Sequence, residues 1–274
     1  MQEILVRKEN GELEVFNSDK LKKSLVNSGS SIILANQIVT EIELHAKHET
    51  TSDEIYRTAS EFLKRNEKSS ALRYSIRRSI INLGPTGFPF EKYIEKLFQK
   101  NHYQTKSGLF LKGKCIEHEI DVVAVSSHNE LFLVEVKFHN ELFLKSDVKT
   151  ALYIKARFDD LKEQKYKILG KNLKPKRMIL ITNTKFTESA IQYGKCAGLD
   201  LISWDYPEKG NLHNLAYKTD TYPITILESL SQNEKINLLA KEIITCDDLL
   251  KSADLAKHPD KIKIISEVES INAK

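Results

Sequence analysis

Two hydrophobic strands joined by a polar turn carry charges at positions that a folded sheet would keep dry. The first reads His118-Glu119-Ile120-Asp121-Val122-Val123-Ala124-Val125, the turn Ser126-Ser127-His128-Asn129-Glu130, and the second Leu131-Phe132-Leu133-Val134-Glu135-Val136-Lys137-Phe138. Side chains alternate faces along a strand, so Leu131, Leu133, Glu135 and Lys137 share one face while Phe132, Val134, Val136 and Phe138 cover the other. Both faces begin apolar, yet one ends in a carboxylate and an ammonium. Burying those groups is costly unless something pairs them, such as each other or a metal ion. Asp121, on the partner strand, is the natural third member. Two carboxylates on adjacent strands can hold Mg²⁺, which favours hard oxygen ligands and keeps several waters. Lys137 beside them can orient an attacking water and offset charge developing on phosphorus oxygens. Taken alone, Glu135 and Lys137 are explained as well by a solvated ion pair on one strand face.

The surrounding sequence adds weight to the catalytic reading. Asp121, then Glu135-Val136-Lys137, resembles the signature of the PD-(D/E)xK nuclease superfamily, in particular its Mrr-like restriction endonuclease branch. Gly87-Phe88-Pro89-Phe90-Glu91-Lys92-Tyr93-Ile94-Glu95-Lys96-Leu97-Phe98 resembles the opening helix of that branch. Asn101-His102-Tyr103 then leads into a strand expected from Gln104 to Lys112. Downstream, Arg177-Met178-Ile179-Leu180-Ile181-Thr182-Asn183 reads as a buried strand, followed by a helix from Thr187 to Ala197 and a strand from Asp200 to Trp204. The resemblance covers Phe88 to Pro207. It implies that Asp121 and Glu135 are metal ligands for Mg²⁺ or Mn²⁺, that Lys137 is the catalytic lysine, and that Glu91 contributes to the site. An exposed carboxylate in the first turn, facing the helix dipole, accounts for Glu91 equally well. Where the family has proline before the aspartate, this chain has Ile120. Lys149, Tyr153 and Arg157 recur every four residues on the next helix, Asp147 to Leu161, and so share a face that could meet a phosphate backbone or simply be solvated.

The N-terminal stretch has a different pattern. Ile4 to Lys8 and Glu12 to Phe16 flank Asn10-Gly11, a strong hairpin signal. Asn17-Ser18-Asp19 caps a helix carrying Lys20, Lys22 and Lys23. Helices follow at Ser31 to Lys47, Ser52 to Lys64 and Ser69 to Asn82, the second opened by Thr51-Ser52-Asp53-Glu54 as a capping box. This α-rich unit, from Ile4 to Leu83, resembles the ATP-cone, the nucleotide-sensing domain of ribonucleotide reductases. The resemblance implies nucleotide contacts from Val6, Lys8, Glu14, Asn17, Lys20 and Thr51, with ATP or dATP as regulatory ligand. It departs at Glu9, where the family often has arginine. Lysines near a helix N-terminus suit phosphate without any family argument. There is no G-x-x-x-x-G-K-[ST] segment, so the nucleotide is expected to bind as an effector without being hydrolysed. Assembly into a homo-oligomer through this unit is a further expectation.

The stretch from Pro207 to Tyr222 reads as irregular, and Ile224 to Asn272 as helices. A helix, a short connection at Ala240-Lys241-Glu242-Ile243 and a Thr245-x-Asp-Asp-Leu-Leu start resemble a helix-hairpin-helix DNA-binding module without its glycine-rich hairpin. A purely packing role for these helices remains open.

The fold class expected is therefore α/β. A small α-rich unit occupies residues 1–84, a restriction-endonuclease-like core with a central mixed sheet occupies 88–207, and a helical region occupies 224–274. With 274 residues and a net charge of only +4, DNA affinity would have to come from local basic patches. Three scattered cysteines, Cys115, Cys196 and Cys246, argue for a reducing compartment and against zinc fingers or disulfides. With no long apolar run or signal peptide visible, a soluble, cytoplasmic protein is expected, away from membranes. The expected function is metal-dependent cleavage of DNA under nucleotide control. The alternative is a nucleotide-controlled DNA- or partner-binding protein with an inactive core.

Overall fold

The structure, a computed structural model, describes residues 4–46 and 49–273. The chain forms two compact units. The first draws on the chain up to Ser79, on Ile226–Ser231 and on the chain from Ala253 onward; the second comprises Ile80–Thr225 and Gln232–Ser252.

In the first unit, β1 (Leu5–Arg7) and β2 (Leu13–Val15) form the expected hairpin, with Val6 opposite Glu14. Gly11 closes the turn at φ +83, a conformation that a side chain would strain. Helix α1 (Ser18–Asn27) starts where the Asn17 side chain accepts the Lys20 N–H at 2.8 Å. Helix α2 (Ile32–His45) is capped by Ser31; the expected end at Lys47 lies outside the described residues. A two-residue strand, β3 (Thr50–Thr51), then pairs with β1 in parallel, giving the order β2-β1-β3. Two residues are too few to show alternation, so this strand leaves no periodic signal. Helix α3 (Ser52–Asn66) opens on the Thr51–Glu54 capping box. The single helix expected over Ser69 to Asn82 is instead α4 (Lys68–Tyr74) and α5 (Ile76–Ile81). They part at Ser75, whose hydroxyl donates to the Leu72 carbonyl at 2.7 Å and competes with the helical pattern. Leu25, Ile38, Ala59 and Leu63 are fully buried at the centre of this unit.

The second unit begins with α6 (Phe88–Lys100), which has proline in its first turn. Strands β4 (Gln104–Lys112), β5 (Glu117–Val125) and β6 (Leu131–Lys137) follow as an antiparallel meander. After a short strand β7 (Lys145–Ser146), helix α7 (Val148–Leu161) is capped by Asp147. A small hairpin, β8 (Tyr166–Ile168) with β9 (Lys171–Leu173), precedes β10 (Pro175–Thr182). Short β11 (Lys185–Phe186), helix α8 (Glu188–Ala197) and β12 (Asp200–Ile202) complete the core. The five-stranded sheet has the order β12-β10-β6-β5-β4 and is mixed, because β10 runs parallel to both β6 and β12. Leu131, Leu133, Met178 and Leu180 from the sheet pack with Ala151 and Ile154 of α7. Phe90 of α6 meets Phe138, just past β6, with ring centroids 5.4 Å apart.

The segment expected to be irregular between Pro207 and Tyr222 contains α9 (Leu212–Lys218). Asn211 caps it by accepting the Asn214 N–H at 2.9 Å, and Leu212 and Ala216 are buried one turn apart. The helical tail consists of a 3₁₀ turn (Ile224–Ile226), α10 (Gln232–Ala240), α11 (Cys246–Leu250), α12 (Ala253–Ala256) and α13 (Lys261–Asn272). Residues 224–274 are thus shared, with α10 and α11 in the second unit and α12 and α13 in the first. Between α10 and α11, Glu242 takes φ +59, the left-handed geometry a glycine would favour, and its carboxylate lies 3.3 Å from the Lys92 ammonium. Cys115, Cys196 and Cys246 are free thiols. No helix among the described residues is long and apolar enough to cross a membrane.

Candidate active site

The β5–β6 ladder runs from Val125↔Leu131 to Val122↔Val134 and stops one pair short of Asp121 and Glu135. At that point the Val136 N–H donates to the Asp121 carboxylate, 2.7 Å away, in place of a strand partner. Strand β6 remains paired on its other side, with Glu135 opposite Leu180 and Lys137 opposite Thr182. Strand β5 likewise stays paired to β4 through Ile120↔Leu109. Two well-anchored strands therefore part where their carboxylates begin. On β4, the flanking pairs Ser107↔Val122 and Leu109↔Ile120 put Gly108 opposite Asp121. Gly108 has φ +63, and a Cβ there would meet nothing within 4 Å.

The carboxylates feel one another. Burial, then the charges of Asp121 and Glu119, pushes Glu91 up to about 7. Glu135 is also pushed up to about 7, chiefly by burial and then by Asp121, with Arg157 opposing and Glu91 adding to the rise. Asp121 is raised by burial, against the lowering influence of the Val136 N–H and of Arg157. Glu91, Asp121 and Glu135 thus share one electrostatic environment. Lys137 lies at the exposed end of β6. Its charge reaches His139, whose pKa is lowered by burial and then by that ammonium. His139 is in turn held by Asn183, which accepts its N–H and donates to its carbonyl, each at 2.8 Å.

Arg157 departs from expectation. Instead of lying on a phosphate-facing surface with Lys149 and Tyr153, it is only 7% exposed and donates to Glu135 Oε1 at 2.6 Å. It also donates to the Glu119 carbonyl. The four-residue spacing grouped it with Lys149 and Tyr153, which are exposed, whereas Arg157 turns inward with Ala151, Ile154 and Leu161. Glu119 belongs to the same group of charges. It lies two residues from Asp121, on the same strand face, and its charge raises both Asp121 and Glu91.

Among the described residues, no group of three or more His, Cys, Asp or Glu is arranged to hold a metal ion. A hard dication does not need three, because Mg²⁺ commonly takes one or two carboxylates and completes its shell with water. The donor set fits such an ion. Glu135 Oε2 is buried without a hydrogen-bond partner, and the carboxylates resist ionising together.

In the first unit, Val6, Glu14 and Thr51 meet on the small sheet, through Val6↔Glu14 on one side of β1 and Arg7↔Thr51 on the other. Lys8, just past β1, pairs with Glu14 at 2.7 Å, and this carboxylate raises its pKa. Asn17 and Lys20 come together only as cap and first turn of α1. A cavity of about 600 Å³ nearby is lined by Glu41, His45, Glu49, Thr50 and Glu54. Its carboxylates would repel a free triphosphate.

A family model described as AF1548-like, C-terminal, matches residues 222–271. An uncharacterized protein of Archaeoglobus fulgidus is 32% identical over 159 residues, which span 58% of this chain and 84% of that one. Among solved structures, the protein of unknown function AF1548 is similar with a TM-score of 0.50 and 29% identity, over 68% of this chain and 95% of that one. A repair endonuclease from Pyrococcus abyssi overlaps 40% of this chain and 41% of its own, at 20% identity and a TM-score of 0.29.

Proposed function

The chain belongs to the same family as the uncharacterized Archaeoglobus fulgidus protein, and we propose that its second unit is a Mg²⁺- or Mn²⁺-dependent DNA endonuclease. The observation that carries this reading is the parting of β5 and β6 at Asp121 and Glu135, with Glu91 in the same field and Lys137 at the exposed end of β6. Asp121 and Glu135 would hold the cation, which when bound supplies Lewis acidity to the scissile phosphate. Asp121 is already oriented by the Val136 N–H, and Glu135 has one oxygen without a protein partner. Lys137 orients the attacking water and offsets charge on the non-bridging phosphate oxygens. Glu91, held near neutral pH by burial, can accept a proton from that water. Gly108 leaves room beside Asp121 for a strand backbone to approach.

The first unit is proposed to be an ATP-cone that binds ATP or dATP through Val6, Lys8, Glu14, Asn17, Lys20 and Thr51. What supports it is the β2-β1-β3 sheet, which brings Val6, Glu14 and Thr51 together with Lys8 beside them. In this reading phosphate replaces Glu14 as the partner of Lys8. The binding of one nucleotide must differ between active and inactive arrangements for it to regulate. Assembly through this unit belongs to the same proposal.

The test is cleavage of plasmid and branched DNA with Mg²⁺ or Mn²⁺, with and without ATP and dATP, by the wild type and Lys137→Ala. Metal-dependent cleavage lost in the variant supports the nuclease. Nucleotide binding without cleavage of any substrate would move the assignment to a nucleotide-controlled binding protein.

A further inference from the structure

One guanidinium spans the place where the two site strands separate. Arg157, from the buried face of α7, donates through Nη1 to Glu135 Oε1 on β6 at 2.6 Å and through Nη2 to the Glu119 carbonyl on β5. These bonds lie on the far side of Val122↔Val134, where the strands exchange no ladder hydrogen bonds. The helix that delivers Arg157 is itself fixed, because Ala151, Ile154 and Leu161 are buried in the sheet core. Arg157 is only 7% exposed, and its Nε is buried without a partner. Glu135 Oε2 is likewise buried and unpartnered. A planar fork with fixed donors can hold two acceptors at a set spacing, which a flexible ammonium cannot.

Resting on the nuclease reading above, we infer that Arg157 is a positioning residue of the cation site, tying Glu135 by Oε1 so that Oε2 alone is presented to the ion. The same contact to Glu119 holds β5 and β6 at the separation that two carboxylates and a hydrated dication require. Arg157 touches neither substrate nor cation; it acts through Glu135. The arrangement also explains a buried cation beside a site meant for another cation. The guanidinium bonds go to Glu135 Oε1 and the Glu119 carbonyl, leaving Glu135 Oε2 as the oxygen that would face the ion.

The experiment is titration calorimetry of Mn²⁺ into the full chain, as wild type and as Arg157→Ala, repeated with millimolar guanidinium ion and with equal ammonium. Arg157→Ala is expected to bind Mn²⁺ about tenfold more weakly. Guanidinium should restore much of that loss and ammonium should not, since only the former reproduces the fork. Wild-type affinity in the variant overturns the inference, and so does a loss that guanidinium leaves untouched, which would reduce Arg157 to packing. Should Arg157→Ala fail to fold, Arg157→Lys decides. It keeps the charge without the fork, so weaker Mn²⁺ binding supports the role and unchanged binding overturns it. A wild type with no Mn²⁺ affinity overturns the cation-site reading itself, and the inference with it. Normal Mn²⁺ binding with an indifferent Arg157 variant overturns the inference alone.

Discussion

At the scale of single residues, the site is a set of carboxylates whose ionisation is opposed by burial and by one another. Glu135 stands near 7 in the folded protein, against an ordinary value of 4.5. A carboxyl whose folded pKa is raised binds more protons when folded than when unfolded, so its penalty grows as pH rises from the unfolded value to the folded one. The metal-free protein is therefore expected to lose stability between about pH 4.5 and 7, with Glu135 contributing on the order of 3 kcal/mol of that loss. Glu135→Gln should flatten this part of the profile in urea melts taken across pH. An unchanged slope would mean that Glu135 ionises freely in the fold. That Glu135 and Lys137 share one strand face, next to the strand of Asp121, could be read from alternation, because a charged end on an apolar strand face is visible in one dimension. Roles for the three came only from the family resemblance. Arg157 could not be read in this way. Its contact with Glu135 depends on which way α7 turns that side chain, and periodicity is silent on that.

At the scale of elements, caps carried most of the legible information. Asn17, Ser31, Asp147 and Thr187 each begin a helix where the sequence placed one, and the Thr51–Glu54 capping box forms as expected. The strands of the central sheet were equally readable, since β4 occupies the expected Gln104–Lys112. The misses have local causes. Strand β3 is too short to show a period, the β8–β9 hairpin offers three-residue strands, and α9 depends on one asparagine cap followed by two buried residues. The break between α4 and α5 follows from a serine whose hydroxyl bonds within its own turn. Gly108 is the element-scale detail with a consequence. A side chain there would have to adopt φ +63 opposite Asp121, so Gly108→Val is expected to cost about 1–2 kcal/mol in urea denaturation. It should also slow cleavage beyond what the stability loss explains, by crowding the approach to Asp121. A variant of full stability and full activity would deny both effects.

At the scale of the whole molecule, the tail is not an appendage, because α13 is part of the first unit. Arg73, only 4% exposed on α4, donates to the carbonyls of Ser28, Ile271 and Ala273 at 2.7–2.9 Å. Buried, charge-assisted bonds of this kind make Arg73→Ala expected to cost about 2–4 kcal/mol, read by denaturant unfolding of the first unit. A cost below about 0.5 kcal/mol would show that α13 is held without it. Such a long-range tie is invisible in sequence, since nothing near Arg73 marks a partner almost two hundred residues away. For the same unit, Lys8→Ala with Lys20→Ala is expected to weaken ATP or dATP binding at least about tenfold by calorimetry. Unchanged affinity would place the nucleotide elsewhere or nowhere.

If the carboxylates at the parted strands drive phosphodiester cleavage, Asp121→Asn removes that activity with least disturbance to the fold. Asparagine keeps an oxygen to accept the Val136 N–H, so the local fold is retained while the charge that would hold the cation is removed. The measurement is the Mn²⁺-dependent cleavage rate of one DNA substrate by wild type and Asp121→Asn, with matched thermal stability. A fall of about a hundredfold or more is the result expected. Equal rates in the two proteins would show that Asp121 takes no part in cleavage.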